Sequence, residues 1–342
     1  MKGHWFLIIM TIIIYFSNNT NIVAEAKQKK LRPPYKNGAA EKCDFYDGKW
    51  VTDYKYPLYN AKDCPFLLQQ FDCVRNGRPD RAFLKYRWQP TNCNLARWDG
   101  KDFVRRIRNK KVLFVGDSLS LNQWQSLACM LHSAFPRLNY TVTRKGPLMS
   151  TFSIPSAKVD SVAGSSKLWM GYDILIFDTW HWWLHTGRKQ PWDVIRDGKV
   201  LHQDMDRLKA YEKALVTWGR WVSKNINFKK TNIFFQGISP DHSNGTQWGK
   251  KTNQMQCKGA QKPIKKLRYL GGPDQADMLL GKVLGKTGKP IHLLRLNKMS
   301  QYRVDGHPSI YGSPRYKGMD CTHWCLPGVP DTWNQLLYAN LI

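Results

Sequence analysis

Val112-Leu113-Phe114-Val115 is an unbroken apolar run, closed by Gly116. Such a run suits a strand buried on both faces, because successive side chains point to opposite sides of a sheet. Ile174–Phe177, Ile233–Phe235 and His292–Leu296 repeat the pattern. Longer stretches between them have helical spacing: Leu119–Phe135, Asp204–Lys224, Gln275–Leu284 and Asp331–Leu341. Strands alternating with helices predict a parallel sheet covered on both faces, an α/β fold spanning residues 101–342. Residues 43–100 differ. They show little periodicity and hold four of the eight cysteines. This predicts a loop-rich subdomain ordered by disulfides and packed aromatics. No internal repeat is visible.

Ahead of these regions, Lys2 precedes an apolar run from Trp5 to Phe16, followed by Val23-Ala24-Glu25-Ala26. A short apolar run ending in small residues reads as a signal peptide over residues 1–26, with an uncleaved signal anchor as the alternative. Either form delivers the chain to the secretory lumen. Residues 27–42 form a basic linker containing Arg32-Pro33-Pro34. The even cysteine count agrees with an oxidising compartment and predicts disulfides, whose pairing spacing alone leaves open. Cys321-Thr322-His323-Trp324-Cys325 has no second close Cys/His pair, so no metal is expected there. Asn139 and Asn244 begin glycosylation sequons; Asn18 begins another within the leader.

Charge narrows the partners. Lysine and arginine total 53 against 25 acidic residues, a net charge of +28. A field of that size favours polyanions. A lumenal chain does not meet nucleic acid, which leaves acidic polysaccharide, or an anionic membrane if the leader stays attached. The 15 tryptophans suit either sugar stacking or an aromatic core.

Two short motifs carry chemistry. Gly116-Asp117-Ser118 lies where a buried strand hands over to a helix, beyond the carboxyl end of the strand, where open parallel sheets bind ligands. A serine there sits at a helix N-terminus, whose free N–H groups favour developing negative charge. Asp117 is placed to cap that helix. Serine is a weak nucleophile without a base, and histidine without an orienting carboxylate is a poor one. Asp320-Cys321-Thr322-His323 supplies both, in the chain order Ser…Asp…His that some hydrolases use. The flanking cysteines would clamp that loop.

Gly116-Asp117-Ser118-Leu119, Asn122-Gln123-Trp124 and Asp320-x-x-His323-Trp324 together resemble the trichome-birefringence-like family of plants, a branch of the GDSL/SGNH-type esterases. The resemblance extends through Cys43-Asp44-Phe45-Tyr46-Asp47-Gly48-Lys49-Trp50, Gln69-Gln70-Phe71-Asp72-Cys73 and Arg87-Trp88-Gln89-Pro90. It continues through Trp180-His181-Trp182-Trp183, Gly237-Ile238-Ser239-Pro240 and Cys325-Leu326-Pro327-Gly328. It implies an SGNH-like three-layer fold and O-acetyl chemistry on wall polysaccharides such as xylan, mannan or pectin. In that reading Ser118 carries the acetyl group, His323 moves the proton and Asp320 orients the histidine. The resemblance also implies the pairs Cys43–Cys93, Cys64–Cys129, Cys73–Cys325 and Cys257–Cys321.

Oxyanion donors would come from the Ser118 backbone N–H, with Gly146 and Asp178 as further candidates. Trp180, His181, Trp183 and His185, with Arg188 and Lys189, follow a strand end and are candidates for contacts with an acidic sugar; core packing is the competing role for the tryptophans. His242 and His307 read as substrate-side or structural. The sequence departs from the family in two places. Asp178 stands where many relatives carry Asn, and only 38 residues separate Phe135 from Ile174, where relatives have a longer stretch with an additional strand. Three functions fit: an acetyltransferase acting on a wall polysaccharide, with pectin favoured by the charge; an acetylesterase using the same triad; or a non-catalytic pectin-binding protein. No bound cofactor is expected. A transferase needs an acetyl donor whose identity the sequence does not show, and the destination is the Golgi lumen or the cell wall.

Overall fold

The computed structural model describes residues 8–13, 43–136, 141–145, 149–153, 169–186, 190, 192–248, 257–264, 274–312 and 318–341. The linker at 27–42 and the candidates Asn139, Gly146, Arg188 and Lys189 lie outside the described residues. Its strands are β1 (Ile8–Ile13), β2 (Gly48–Thr52), β3 (Tyr86–Pro90), β4 (Lys111–Gly116), β5 (Thr141–Lys145), β6 (Met149–Ser153), β7 (Ile174–Phe177), β8 (Ile195–Asp197), β9 (Val200–His202), β10 (Asn232–Gln236) and β11 (Ile291–Leu294). Its helices are α1 (Gly100–Arg106), α2 (Ser118–Ala134), α3 (Trp180–Trp183), α4 (Arg207–Asn225), α5 (Gln275–Lys286), α6 (Asn297–Gln301) and α7 (Val329–Leu341).

The main sheet has the order β11-β10-β7-β4-β1-β6-β5. Its first four strands are mutually parallel and form the α/β core that the apolar runs predict. Burial on both faces explains their composition. Val112 and Phe114 of β4 join one core with Ile174, Ile176 and Phe234, under α2 and α7. Leu113 and Val115 join the other, with Leu175, Phe177, Ile233 and Phe235, under α4 and α5. Each such side chain removed from water contributes about 1.5–3 kcal/mol. Three of these strands needed no polar face, hence no alternation.

The far side of the sheet differs from the sequence reading. Ile8–Ile13, within the segment read as a signal peptide, forms β1, antiparallel to β4 and parallel to β6. The short segment between Phe135 and Ile174 contributes β5 and β6, which pair antiparallel. A chain of β-branched residues beside an unfilled β4 edge satisfies its backbone by joining the ladder, since unpaired N–H and C=O groups are costly.

The β2–β3 ribbon and 3-10 turns of residues 43–99 pack on the α/β half. The Trp50 indole N–H donates to the Met299 carbonyl (2.8 Å), and the Leu326 N–H donates to the Phe71 carbonyl (2.8 Å). All four disulfides implied by the resemblance are present: Cys43–Cys93, Cys64–Cys129, Cys73–Cys325 and Cys257–Cys321. Two of them tie this subdomain to the α/β half. Much of the tryptophan content is core. Trp88, Trp124, Trp324 and Trp333 are buried, and the indoles of Trp324 and Trp333 donate to Ser239 and Ser300 hydroxyls. Among the described residues no helix is long and apolar enough to cross a membrane.

Candidate active site

The site lies at the carboxyl ends of β4 and β7. Their register pairs Val115 with Phe177, so Gly116 and Asp178 come next, side by side. Only glycine fits at 116: a Cβ there would stand 2.6 Å from the Asp178 carbonyl oxygen and 2.7 Å from the Ser120 Cβ. The strand can therefore turn directly into α2. Asp117 caps that helix, its Oδ1 accepting from the Leu119 N–H at 2.9 Å. Its Oδ2 accepts from the Trp182 N–H at 3.3 Å, which joins the turn to α3. Ser118 is the first residue of α2, where the N–H groups have no intrahelical partner.

The Ser118 hydroxyl donates to His323 Nε2 across 2.7 Å. On the other side of the ring, Nδ1–H donates to Asp320 Oδ2 at 2.9 Å. That bond sets the tautomer and leaves the Nε2 lone pair toward the serine proton. Asp320 Oδ1 accepts from the backbone N–H groups of Thr322 (3.1 Å) and His323 (3.0 Å). Burial pushes the Asp320 carboxyl up, but the His323 charge and hydrogen bonds outweigh it and hold the group well below the carboxylate range. Burial likewise lowers His323, but the charge and hydrogen bond of Asp320, helped by Asp117 and Asp241, leave it above an ordinary histidine. Serine, base and orienting acid thus stand in one line.

The loop carrying Asp320 and His323 is anchored throughout. Asp320 and Ser309 exchange backbone hydrogen bonds of 2.8 and 3.0 Å. Cys321 and Cys325 are bonded to Cys257 and Cys73, so neither offers a thiolate to a metal. The side chain of Asn122, on α2, grips the Trp324 backbone with an acceptor at 2.7 Å and a donor at 3.2 Å. His307 is buried and stacks on Trp324 with ring centres 4.0 Å apart. Its Nδ1–H donates to the His323 carbonyl at 2.7 Å, and its Nε2 accepts from His242 Nδ1 at 2.7 Å. Burial pushes His307 down to about 4 and, with the nearby His307 ring, places His242 well below the ordinary value. Both are neutral braces, which places them on the structural side of the earlier reading. Phe71, from the N-terminal subdomain, packs its ring 5.7 Å from that of His323.

The other candidates divide. His181 sits with its ring 5.9 Å from His323 and 5.2 Å from His185; burial lowers its pKa, with His323 and His185 adding to the effect. His181 therefore lies beside the His323 ring, with His185 next to it. Trp180 and Trp183 point elsewhere. Trp183 is buried against Trp192, and the Trp180 ring packs 4.9 Å from Tyr211. The single helical turn of α3 turns these two rings toward the core beneath the sheet, with Trp180 half-buried there, which favours core packing over sugar contact as their role. Asp178 is also not a free oxyanion donor: its N–H donates to the Val115 carbonyl at 2.9 Å, and its carboxyl faces Asp117. Of the oxyanion candidates, Ser118 alone presents a described backbone N–H at the helix end. Asn244, the described sequon residue, is half-buried and accepts from the Thr246 hydroxyl through Oδ1 at 2.8 Å. The bracing contact of Phe71 was not visible in the sequence, since it acts through the folded loop and belongs to no local chemical motif.

Residues 95–160 and 153–340 match the PC-Esterase family, described as a GDSL/SGNH-like acyl-esterase family found in Pmr5 and Cas1p. Residues 41–94 match the PMR5 N-terminal domain. The chain is 50% identical to protein trichome birefringence-like 43 of Arabidopsis thaliana over 324 residues, covering 87% of this chain and 88% of that one. It is 46% identical to trichome birefringence-like 41 of the same plant, covering 90% and 93%. Protein trichome birefringence itself is 34% identical, covering 95% of this chain and 60% of its own length. With the family match covering nearly all the chain after residue 40, and a serine–histidine–aspartate line at the matching strand end, this chain belongs to the trichome-birefringence-like branch of the GDSL/SGNH-like PC-esterases.

Proposed function

We propose that this chain is an O-acetyltransferase that moves acetyl groups onto hydroxyls of an acidic plant cell-wall polysaccharide, through an acetyl-Ser118 intermediate. The observation that carries the proposal is the continuous contact Ser118 Oγ–His323–Asp320 at the N-terminus of α2. In the first half-reaction the Ser118 proton passes to His323 Nε2 while Oγ attacks the acetyl carbonyl of the donor. The donor's acyl bond breaks, and its leaving atom takes the proton back from His323. In the second, a sugar hydroxyl gives its proton to His323 and attacks the acetyl-serine carbonyl. Ser118 Oγ leaves and recovers that proton. Asp320 stabilises the imidazolium in both halves, and the Ser118 N–H at the helix end faces the developing oxyanion. Every atom balances without a bound cofactor; the acetyl donor is a co-substrate.

The charge of +28 supports a uronate-rich acceptor such as pectin, because an extended polyanion gains most from a field of that sign. The four disulfides support a lumenal or secreted site of action. A second reading follows from the acyl-esterase description of the matching family: water in place of the sugar hydroxyl makes the same machinery an acetylesterase.

The test is mass spectrometry of the protein after incubation with an activated acetyl ester, for wild type and Ser118→Ala. A Ser118 adduct of about 42 Da, absent from the variant, is expected. Chase with deacetylated pectin oligomers then separates transfer from hydrolysis, by acetyl appearing on the oligomer or in water. No adduct and no ester turnover would remove both enzymatic readings and leave pectin binding as the function.

A further inference from the structure

The nucleophile turn contains a second acidic group that the triad does not use. Asp117 is fully buried and Asp178 is 4% exposed. Their backbones come side by side because Gly116 and Asp178 end adjacent strands; a Cβ on Gly116 would lie 3.0 Å from the Asp178 Cβ. Among the described residues, no lysine, arginine or histidine forms an ion pair with either carboxyl.

Asp117 accepts a backbone N–H at each oxygen, from Leu119 and from Trp182. That is the acceptor-only pattern of a carboxylate. The Asp178 carboxyl lies beside that of Asp117, close enough for the Asp117 charge to act on it. Among the described residues, no N–H or O–H donor reaches the buried Asp178 Oδ2. Two buried carboxyls side by side without a cation do not both ionise, so one of the pair keeps a proton that it can donate to the other. Burial first, and the Asp117 charge second, hold the Asp178 group well above the carboxylate range.

We propose that Asp178 is a positioning residue: it keeps one proton, donates it to Asp117, and thereby locks the β7–α3 turn to the turn that presents Ser118. The inference rests on the ester chemistry proposed above. Its consequence is an alkaline limit on activity that a serine–histidine–aspartate line does not impose by itself. As pH rises the shared proton leaves, the two carboxylates repel, and the turn carrying Ser118 shifts. The charged and titratable groups facing the pair are His181 from α3, His323 from the C-terminal loop, Tyr211 from α4, and Asp274 and Asp277 beside Tyr211 at the start of α5. An Asn at this position would supply the same donor with no proton to lose.

The experiment compares wild type, Asp178→Asn, Asp178→Ala and Ser118→Ala by aryl-acetate turnover from pH 5 to 9 and by melting temperature over the same range. Asp178→Asn is expected to keep turnover within about threefold at pH 7 and to lose the alkaline fall. Asp178→Ala, which leaves Asp117 without its donor, is expected to lose on the order of 10²-fold in kcat, the cost of misplacing a reacting group by about 1 Å. Melting provides an independent readout. The unfolded Asp178 ionises near pH 4 and the folded one does not, so wild-type stability falls with rising pH relative to Asp178→Asn. The melting temperature of the Asn variant should therefore gain on wild type steadily above about pH 4. A constant gap would overturn the shared proton. A folded Asn variant as inactive as the Ala variant would overturn the positioning role. Wild-type turnover equal to that of Ser118→Ala would defeat the functional reading instead, and the melting comparison would still decide where the proton lies.

Discussion

Replacing Asp320 with Asn tests the central line of the site. The substitution keeps shape and one acceptor oxygen but removes the charge that faces His323 Nδ1 across 2.9 Å. At an effective dielectric of about 20, Coulomb's law places the attraction between such a carboxylate and an imidazolium near 6 kcal/mol. About a fifth of each side chain reaches solvent, so screening reduces this, and about 3–5 kcal/mol is the working range. Above the pH at which His323 titrates, the imidazolium forms only during proton transfer, so the loss falls on kcat. Each 1.36 kcal/mol is tenfold, which gives a drop of about 10²–10⁴ in aryl-acetate turnover. The second signature is the acid limb. Asp320 is the main group raising His323, so the pH at which activity rises must move downward in the variant. The assay is kcat against pH with the Ser118→Ala rate subtracted. A variant with normal kcat, or a reduced kcat with an unmoved acid limb, would refute the assignment of Asp320 as the partner of the catalytic imidazole.

Gly116→Ala should be nearly inactive while still folded, because its Cβ would collide with Asp178 backbone and Ser120 and force the Ser118 turn aside; kcat falling less than about tenfold would contradict the close approach. The Cys257–Cys321 and Cys43–Cys93 bonds span 64 and 50 residues, so chain entropy assigns each about 4 kcal/mol. Removing either pair to serine should lower the melting temperature by similar amounts, yet the first should also depress kcat at temperatures where the protein is folded, because Cys321 lies between Asp320 and His323. His307→Gln should destabilise by about 1–3 kcal/mol at pH 7, from the lost donor to the His323 carbonyl. Because burial holds His307 near 4, wild-type stability falls as pH drops from about 6.5 toward 4 while the unfolded histidine takes up its proton. The deficit of the Gln variant, measured by denaturant titration, must therefore shrink over that window.

The architecture was legible because its strands are buried on both faces. Runs such as Val112–Val115 and Ile174–Phe177 have no polar alternation, and helical spacing with caps marked α2, α4, α5 and α7 to within a few residues. Asp320 and His323 could be read as a unit because they lie three residues apart on one turn. The resemblance to a known family supplied the disulfide pairing, which spacing left open. Three things were out of reach. Ser118 and His323 are 205 residues apart, and their 2.7 Å contact depends on α2, the Cys73–Cys325 and Cys257–Cys321 bonds, and the His307 brace acting together. Trp180 and Trp183 were indistinguishable from sugar-stacking residues until one helical turn set their direction. The slot beside β4 was occupied by the strand Ile8–Ile13, which no local pattern predicts. Local order follows from neighbours along the chain, whose side-chain spacing is written in the sequence. The position of a proton, a ring or a vacant strand edge follows from groups that meet only after the chain has closed on itself.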